Sequence, residues 1–180
     1  MRTLLSRETI EARTRELARA VSRDFLGKTP VLVGILKGSV FFLADLMRHL
    51  DLDHEVDFIS ISSYASGITS SGTVRLLKDL DHDISGRDVL IVEDIIDSGL
   101  SLSYLRKNLL SRNPRSLSIV TLLDKRVPRD RQVYVDYVGF EIDNLFVVGY
   151  GLDHAERHRE LPYVAVLEEQ DQKLAGNGRG

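Results

Sequence analysis

The densest group of side chains able to do chemistry lies between Val89 and Ser101, VLIVEDIIDSGLS. Glu93, Asp94 and Asp97 are followed at once by the turn Ser98-Gly99-Leu100-Ser101. Carboxylates can hold hydroxyls or a divalent cation. The turn offers backbone N–H groups and two hydroxyls at the start of a helical pattern, where unsatisfied N–H groups and the helix dipole favour an anion. Acids beside an anion cradle would repel a bare phosphate. A sugar phosphate carrying Mg²⁺ meets both demands.

The surrounding elements must position that cluster. Val89 to Val92 is apolar on successive residues, which suits a strand buried on both faces of a parallel sheet. Glu93 and Asp94 then fall at its carboxyl end, where open α/β sheets bind ligands. Leu102, Leu105, Leu109 and Leu110 mark the following helix, stopped by Asn113-Pro114. Upstream, Ser6 to Leu26 reads as a helix with Ser6 as N-cap and Gly27 as its end. Pro30 introduces the apolar run Val31 to Leu36, then Lys37-Gly38-Ser39 and a helix through Phe42, Leu43, Leu46 and Leu50. That turn could hold an anion or be an ordinary strand-to-helix connection.

Val56 to Ser63 predicts a strand, and the stretch after Tyr64, rich in Ser, Thr and Gly, reads as a mobile loop before the chain turns apolar at Val74. Ser116 to Leu123 predicts another buried strand with Lys125 just beyond it. Val133 to Ile142 alternates as a strand, and Tyr163 to Leu167 forms a last one. Residues 171–180 are expected to be a disordered tail.

Composition bounds the function. With 180 residues, 43% of them hydrophobic, the chain can build one core. Its formal charge of −3 disfavours a nucleic-acid binder. No cysteine occurs, and no apolar run approaches the ~20 residues of a membrane helix. A cytoplasmic protein without a membrane segment is the expectation.

VLIVEDIIDSGLS resembles the phosphoribosyl-diphosphate signature of type I phosphoribosyltransferases. Three more segments resemble the hypoxanthine-guanine branch: GILKGS, LLDKRVPR and FEIDNLFVVGYGLD. The resemblance spans roughly Val31 to Leu167, in family order. It departs at Leu100, a position that is lysine in some relatives.

The resemblance implies an α/β fold, a single domain over 1–170 with a mainly parallel central sheet flanked by helices. A small hood would come from the N-terminal residues and about 143–167. It implies Mg²⁺-dependent transfer of phosphoribose to N9 of hypoxanthine or guanine. In that scheme Glu93, Asp94 and Ser98 to Ser101 hold the phosphoribosyl group. Lys37, Gly38 and Arg159 take pyrophosphate, and the Leu36–Lys37 peptide is cis. Lys125 meets the purine 6-oxo group, Phe146 stacks on the base, and the Val147 backbone reads its edge. Asp97 handles the N7 proton, Ser63 and Tyr64 belong to a lid, and Glu93, Asp94 and Asp153 serve metal. A homodimer or homotetramer follows from the same resemblance. A regulatory nucleic-acid-binding protein on the same fold is the competing expectation.

Overall fold

The apolar run Val31 to Ile35 and its counterpart Val89 to Val92 put alternate side chains on opposite faces. Leu32, Leu90 and Val92 pack in one buried cluster, and Val31, Val33, Val89 and Ile91 in another. This alternation organises the computed structural model, which describes residues 1–64, 73–128 and 133–168. In order, the elements are β1 (Arg2–Leu5), α1 (Arg7–Asp24), β2 (Val31–Leu36), α2 (Val40–His49), β3 (Glu55–Tyr64) and β4 (Thr73–Lys78). They continue as β5 (Asp88–Ile96), α3 (Leu100–Leu110), β6 (Ser116–Lys125), β7 (Tyr137–Ile142), β8 (Val147–Val148) and β9 (Val164–Val166). The Ser-, Thr- and Gly-rich stretch 65–72 and the tail 171–180 lie outside the described residues.

A six-stranded sheet has the order β4-β3-β2-β5-β6-β7, parallel throughout except where β4 pairs antiparallel with β3. Helices α1 and α2 cover one face through Ile10, Leu17, Val21, Phe42, Leu43 and Leu46. Helix α3 covers the other through Leu102, Leu105 and Leu109, each buried leucine contributing ~1.5 to 3 kcal/mol. Neighbouring strands β2 and β5 therefore send their chains to opposite faces, β2 into α2 and β5 into α3. The crevice between their carboxyl ends is a topological switch point, the place where such sheets bind ligands. A second antiparallel sheet, β1-β9-β8, lies in the same apolar cluster as α1 and α2 through Val147, Val164 and Val166.

Local signals explain the elements. Ser6 caps α1 by accepting the Thr9 N–H at 3.2 Å, and Gly27 follows with φ +75°. Two expectations need correction. Pairing of β7 with β6 begins only at Val120 opposite Tyr137, not at Val133. The Asp136 carboxylate accepts the Ile119 N–H at 2.8 Å, taking the place of a strand carbonyl, while Val133 and Val135 pack on the α3-side core without a ladder. Lys125 is the last residue of β6, opposite Ile142, rather than a residue beyond it.

Candidate active site

Two backbone approaches assemble the switch-point crevice. The peptide between Leu36 and Lys37 is cis. The next residue, Gly38, lies so close to Asp94 that a Cβ there would collide with the carboxylate. Gly151, at φ +99°, in turn packs on the Gly38 carbonyl with no room for a side chain. The turn after β2, the acids of β5 and the chain after β8 are thus locked together by glycines at contact points.

Burial sets the character of the acids. Glu93 is buried, and that burial, together with the neighbouring Asp94 charge, pushes its carboxyl well above the usual range. Asp94 keeps its backbone fixed by accepting the Ile95 N–H at 2.9 Å. Asp97 is exposed, and its carboxylate meets the Lys125 ammonium at 2.9 Å. The Lys125 side chain is only 11% exposed. Asp97 does not cap α3. Its N-cap is Gly99 at φ +76°, with no side-chain cap bond, although the Ser98 hydroxyl lies 3.4 Å from the Leu100 N–H. The first turn of α3 carries Leu100 and Ser101, and the N–H groups of such a helix start suit an anion.

A pocket of about 230 Å³ is lined by Asp94, Ile95, Asp97, Lys125, Phe146, Val147, Leu152 and Asp153. It brings together six residues singled out from three separate sequence segments. Phe146 is 43% exposed and meets the His154 ring edge-on at 5.4 Å. His154 is thus partly inside, with Nδ1 buried and without a hydrogen-bond partner among the described residues. A larger cavity between α1, α2 and the chain after β8 is lined by Arg7, Asp45, His49 and Tyr150 among others. It gathers none of the predicted groups.

Lys37 and Arg159 do not line this pocket but join it through Asp153 in a network of charges. Lys37 Nζ pairs with Glu156 at 2.9 Å. Arg159 donates to the Gly151 carbonyl at 2.8 Å and pairs with Asp153 at 2.9 Å and Glu156 at 3.4 Å. The Lys37 hydrogen bond, with help from Arg159, holds the Glu156 carboxyl below its usual range. Sequence reasoning passed over Glu156, because an acid in the polar stretch HAERHRE carries no local signal. Among the described residues, no cluster of three or more His, Cys, Asp or Glu side chains is close enough to hold a metal ion. Asp153 is turned to Arg159 and to the Glu156 N–H, which it accepts at 2.8 Å. For Ser63 and Tyr64 the backbone alone is described, at the end of β3.

A family model of the phosphoribosyl transferase domain matches residues 2–155. The chain belongs to that family. It is 48% identical over 167 residues to a hypoxanthine-guanine phosphoribosyltransferase of Bacillus subtilis, covering 93% of each chain. It is 50% identical over 171 residues to an enzyme of the same name from Mycobacterium bovis, covering 92% of this chain and 85% of that one. Among solved structures, a hypoxanthine-guanine phosphoribosyltransferase of Bacillus anthracis superposes with a TM-score of 0.89 at 45% identity, covering 93% of this chain and 99% of the other. No helix among the described residues is long and apolar enough to cross a membrane.

Proposed function

We propose that the protein is a purine-salvage transferase that moves 5-phosphoribose from phosphoribosyl diphosphate to N9 of hypoxanthine or guanine, giving IMP or GMP and pyrophosphate. The carrying observation is the pocket that joins Asp94 and Asp97 to Lys125, Phe146 and Asp153, in a chain of this family.

Each group has a task. Departure of pyrophosphate leaves positive charge on the ribose C1 and ring oxygen, so the site must stabilise that charge and receive an anionic leaving group. Glu93 and Asp94 hold the ribose hydroxyls, and the turn Ser98 to Ser101 grips the 5′-phosphate through main-chain N–H groups, a role that Leu100 can fill as well as a lysine can at its backbone. Lys37, Gly38 and Arg159 face the leaving group. Lys125 donates to the purine 6-oxo group, Phe146 offers a ring face to the base, and Val147 its backbone. Asp97 accepts or shares the N7 proton as N9 becomes nucleophilic. Ser63 and Tyr64 are assigned to a lid on the sequence resemblance alone.

The donor set fits Mg²⁺, which binds through one or two carboxylates plus substrate phosphates and keeps much of its water. Burial and the Asp94 charge raise the Glu93 carboxyl, a repulsion between neighbouring carboxyls that a divalent cation would relieve, so a three-ligand protein cage is not required. Glu93 and Asp94 would hold one ion and Asp153 a second, supplying charge neutralisation at the diphosphate. We assign the protein to the cytoplasm as a homodimer or homotetramer on the family resemblance. Binding of nucleic acid draws no support from a net charge of −3.

The test is direct. Purified protein given phosphoribosyl diphosphate, hypoxanthine and Mg²⁺ should form IMP and pyrophosphate in equal amounts, and chelation of Mg²⁺ should abolish turnover. Failure to form either product would overturn the assignment.

A further inference from the structure

Glu156 has a position that the proposed reaction does not use. Its carboxylate lies 2.9 Å from Lys37 Nζ and 3.4 Å from Arg159 Nη2, joining two cations that are far apart in sequence. The chain aims it there. Glu156 has φ +64°, its N–H is fixed to the Asp153 carboxylate at 2.8 Å, and His154 and Arg157 exchange backbone hydrogen bonds of 3.1 Å across the same turn.

Lys37 and Arg159 are the side-chain cations assigned to the leaving group under the function proposed above, on which this inference rests. An anion that takes the Lys37 ammonium must exchange places with the Glu156 carboxylate or share the ammonium with it. Sharing sets two anions within a few ångströms of each other, and exchange forfeits a charge-assisted pair. Both routes weaken the hold on pyrophosphate. Both side chains of the Lys37–Glu156 pair are about two-thirds exposed, at 66% and 65%, so the penalty is modest and easily reversed, as a product-release device requires.

We propose that Glu156 is a competing carboxylate that loosens the Lys37–Arg159 cation pair's grip on pyrophosphate and thereby speeds product release. It acts through the cations and needs no contact with the reacting atoms. Glu156→Gln keeps the shape, and it keeps the backbone bond to Asp153. Lys37, Glu156 and Arg159 do not line the pocket that holds Asp94, Asp97 and Lys125, so purine binding should not respond.

The experiment titrates inorganic pyrophosphate into wild type, Glu156→Gln and Glu156→Asp by calorimetry in Mg²⁺ buffer. It is paired with pyrophosphate product-inhibition constants and hypoxanthine KM from turnover. The Gln variant should bind pyrophosphate about two- to fivefold more tightly, the range expected from an exposed ion pair. The gain should shrink at high ionic strength, and hypoxanthine KM should stay unchanged. The Asp variant, which keeps the charge, should lie nearer to wild type. A merely structural role predicts a lower Tm and weaker binding of every ligand, and that result would overturn the proposal, as would unchanged pyrophosphate affinity in a wild-type-like, active Gln variant. A wild type that neither turns over nor binds pyrophosphate would instead remove the function on which the proposal rests.

Discussion

The Nζ atom of Lys125 stands 2.9 Å from the Asp97 carboxylate, joining the end of β6 to the loop that follows β5. The group proposed to read the purine 6-oxo position and the group proposed to handle the N7 proton are therefore one electrostatic unit. The 6-oxo group and N7 lie side by side on one edge of a 6-oxopurine, so a bound base would meet both at once. Losses at the two residues should not add: a double-mutant cycle on kcat/KM should return a coupling of about 0.5 to 3 kcal/mol. Additive losses would separate the roles.

Asp97→Asn should lower kcat by about 10² to 10⁴ while leaving phosphoribosyl diphosphate binding nearly intact, because acid-base assistance is lost and the α3 N-terminus is not. A capping role would instead cost ~1 kcal/mol of stability with little kinetic change. Gly99 as the cap of α3 already argues against that. Single-turnover rates with a parallel binding titration distinguish the two.

Lys125→Ala should reduce kcat/KM for hypoxanthine and guanine by ~1.5 to 3 kcal/mol, the range for a hydrogen bond to a charged group. The preference over adenine should relax, since adenine presents a donor where the ammonium needs an acceptor. Comparing the three bases in wild type and variant measures this directly, and an unaltered preference would assign position 6 to another group.

Gly38→Ala puts a Cβ against the Asp94 carboxylate. Either Asp94 or the Lys37-Gly38 turn must move, at about 1 to 3 kcal/mol of stability. A displacement at a positioning group can cost about 10²-fold in rate, so kcat/KM for phosphoribosyl diphosphate should fall by roughly tenfold or more. A fully active variant would show that this close approach is not needed.

The strands that carry the site are tied at their start by Asp88, buried on β5, which accepts hydrogen bonds from Arg115 and, at 2.6 Å, from Ser116 on β6. The Arg115 hydrogen bond is the main cause of a lowered Asp88 pKa; burial opposes it and Ser116 adds to it. A depressed folded pKa gives stability that is present above the unfolded value, ~3.9, and is lost as pH falls through the folded value. Asp88→Asn should therefore cost about 1 to 3 kcal/mol at pH 7 and progressively less below about pH 4. Urea midpoints across that range provide the check, and a pH-independent deficit would contradict it.

Legibility in the sequence followed the strength of the local signal. Val89 to Val92 and Val31 to Leu36 were readable because burial on two faces leaves no polar position in a strand, and both proved to be central neighbours in the sheet. Arg2–Leu5 was not readable as a strand, since four residues with two of them exposed carry no period. The alternation from Val133 misled because side-chain packing satisfied it at Val133 and Val135, while backbone bonding to β6 starts only at Asp136. In the site, residue types announced Asp97 and Lys125 separately, but their contact depends on the sheet register. Glu156 was silent because its partner Lys37 is 119 positions away.

Steady-state kcat/KM for hypoxanthine, guanine and adenine, each with phosphoribosyl diphosphate and Mg²⁺, tests the central claim most directly. The account predicts nucleotide formation with one or both 6-oxopurines and a preference over adenine of ~10⁴-fold, because the Lys125 donor that meets an acceptor on a 6-oxopurine meets another donor on adenine. Turnover of adenine at a rate comparable to hypoxanthine, or of no purine at all, would contradict it.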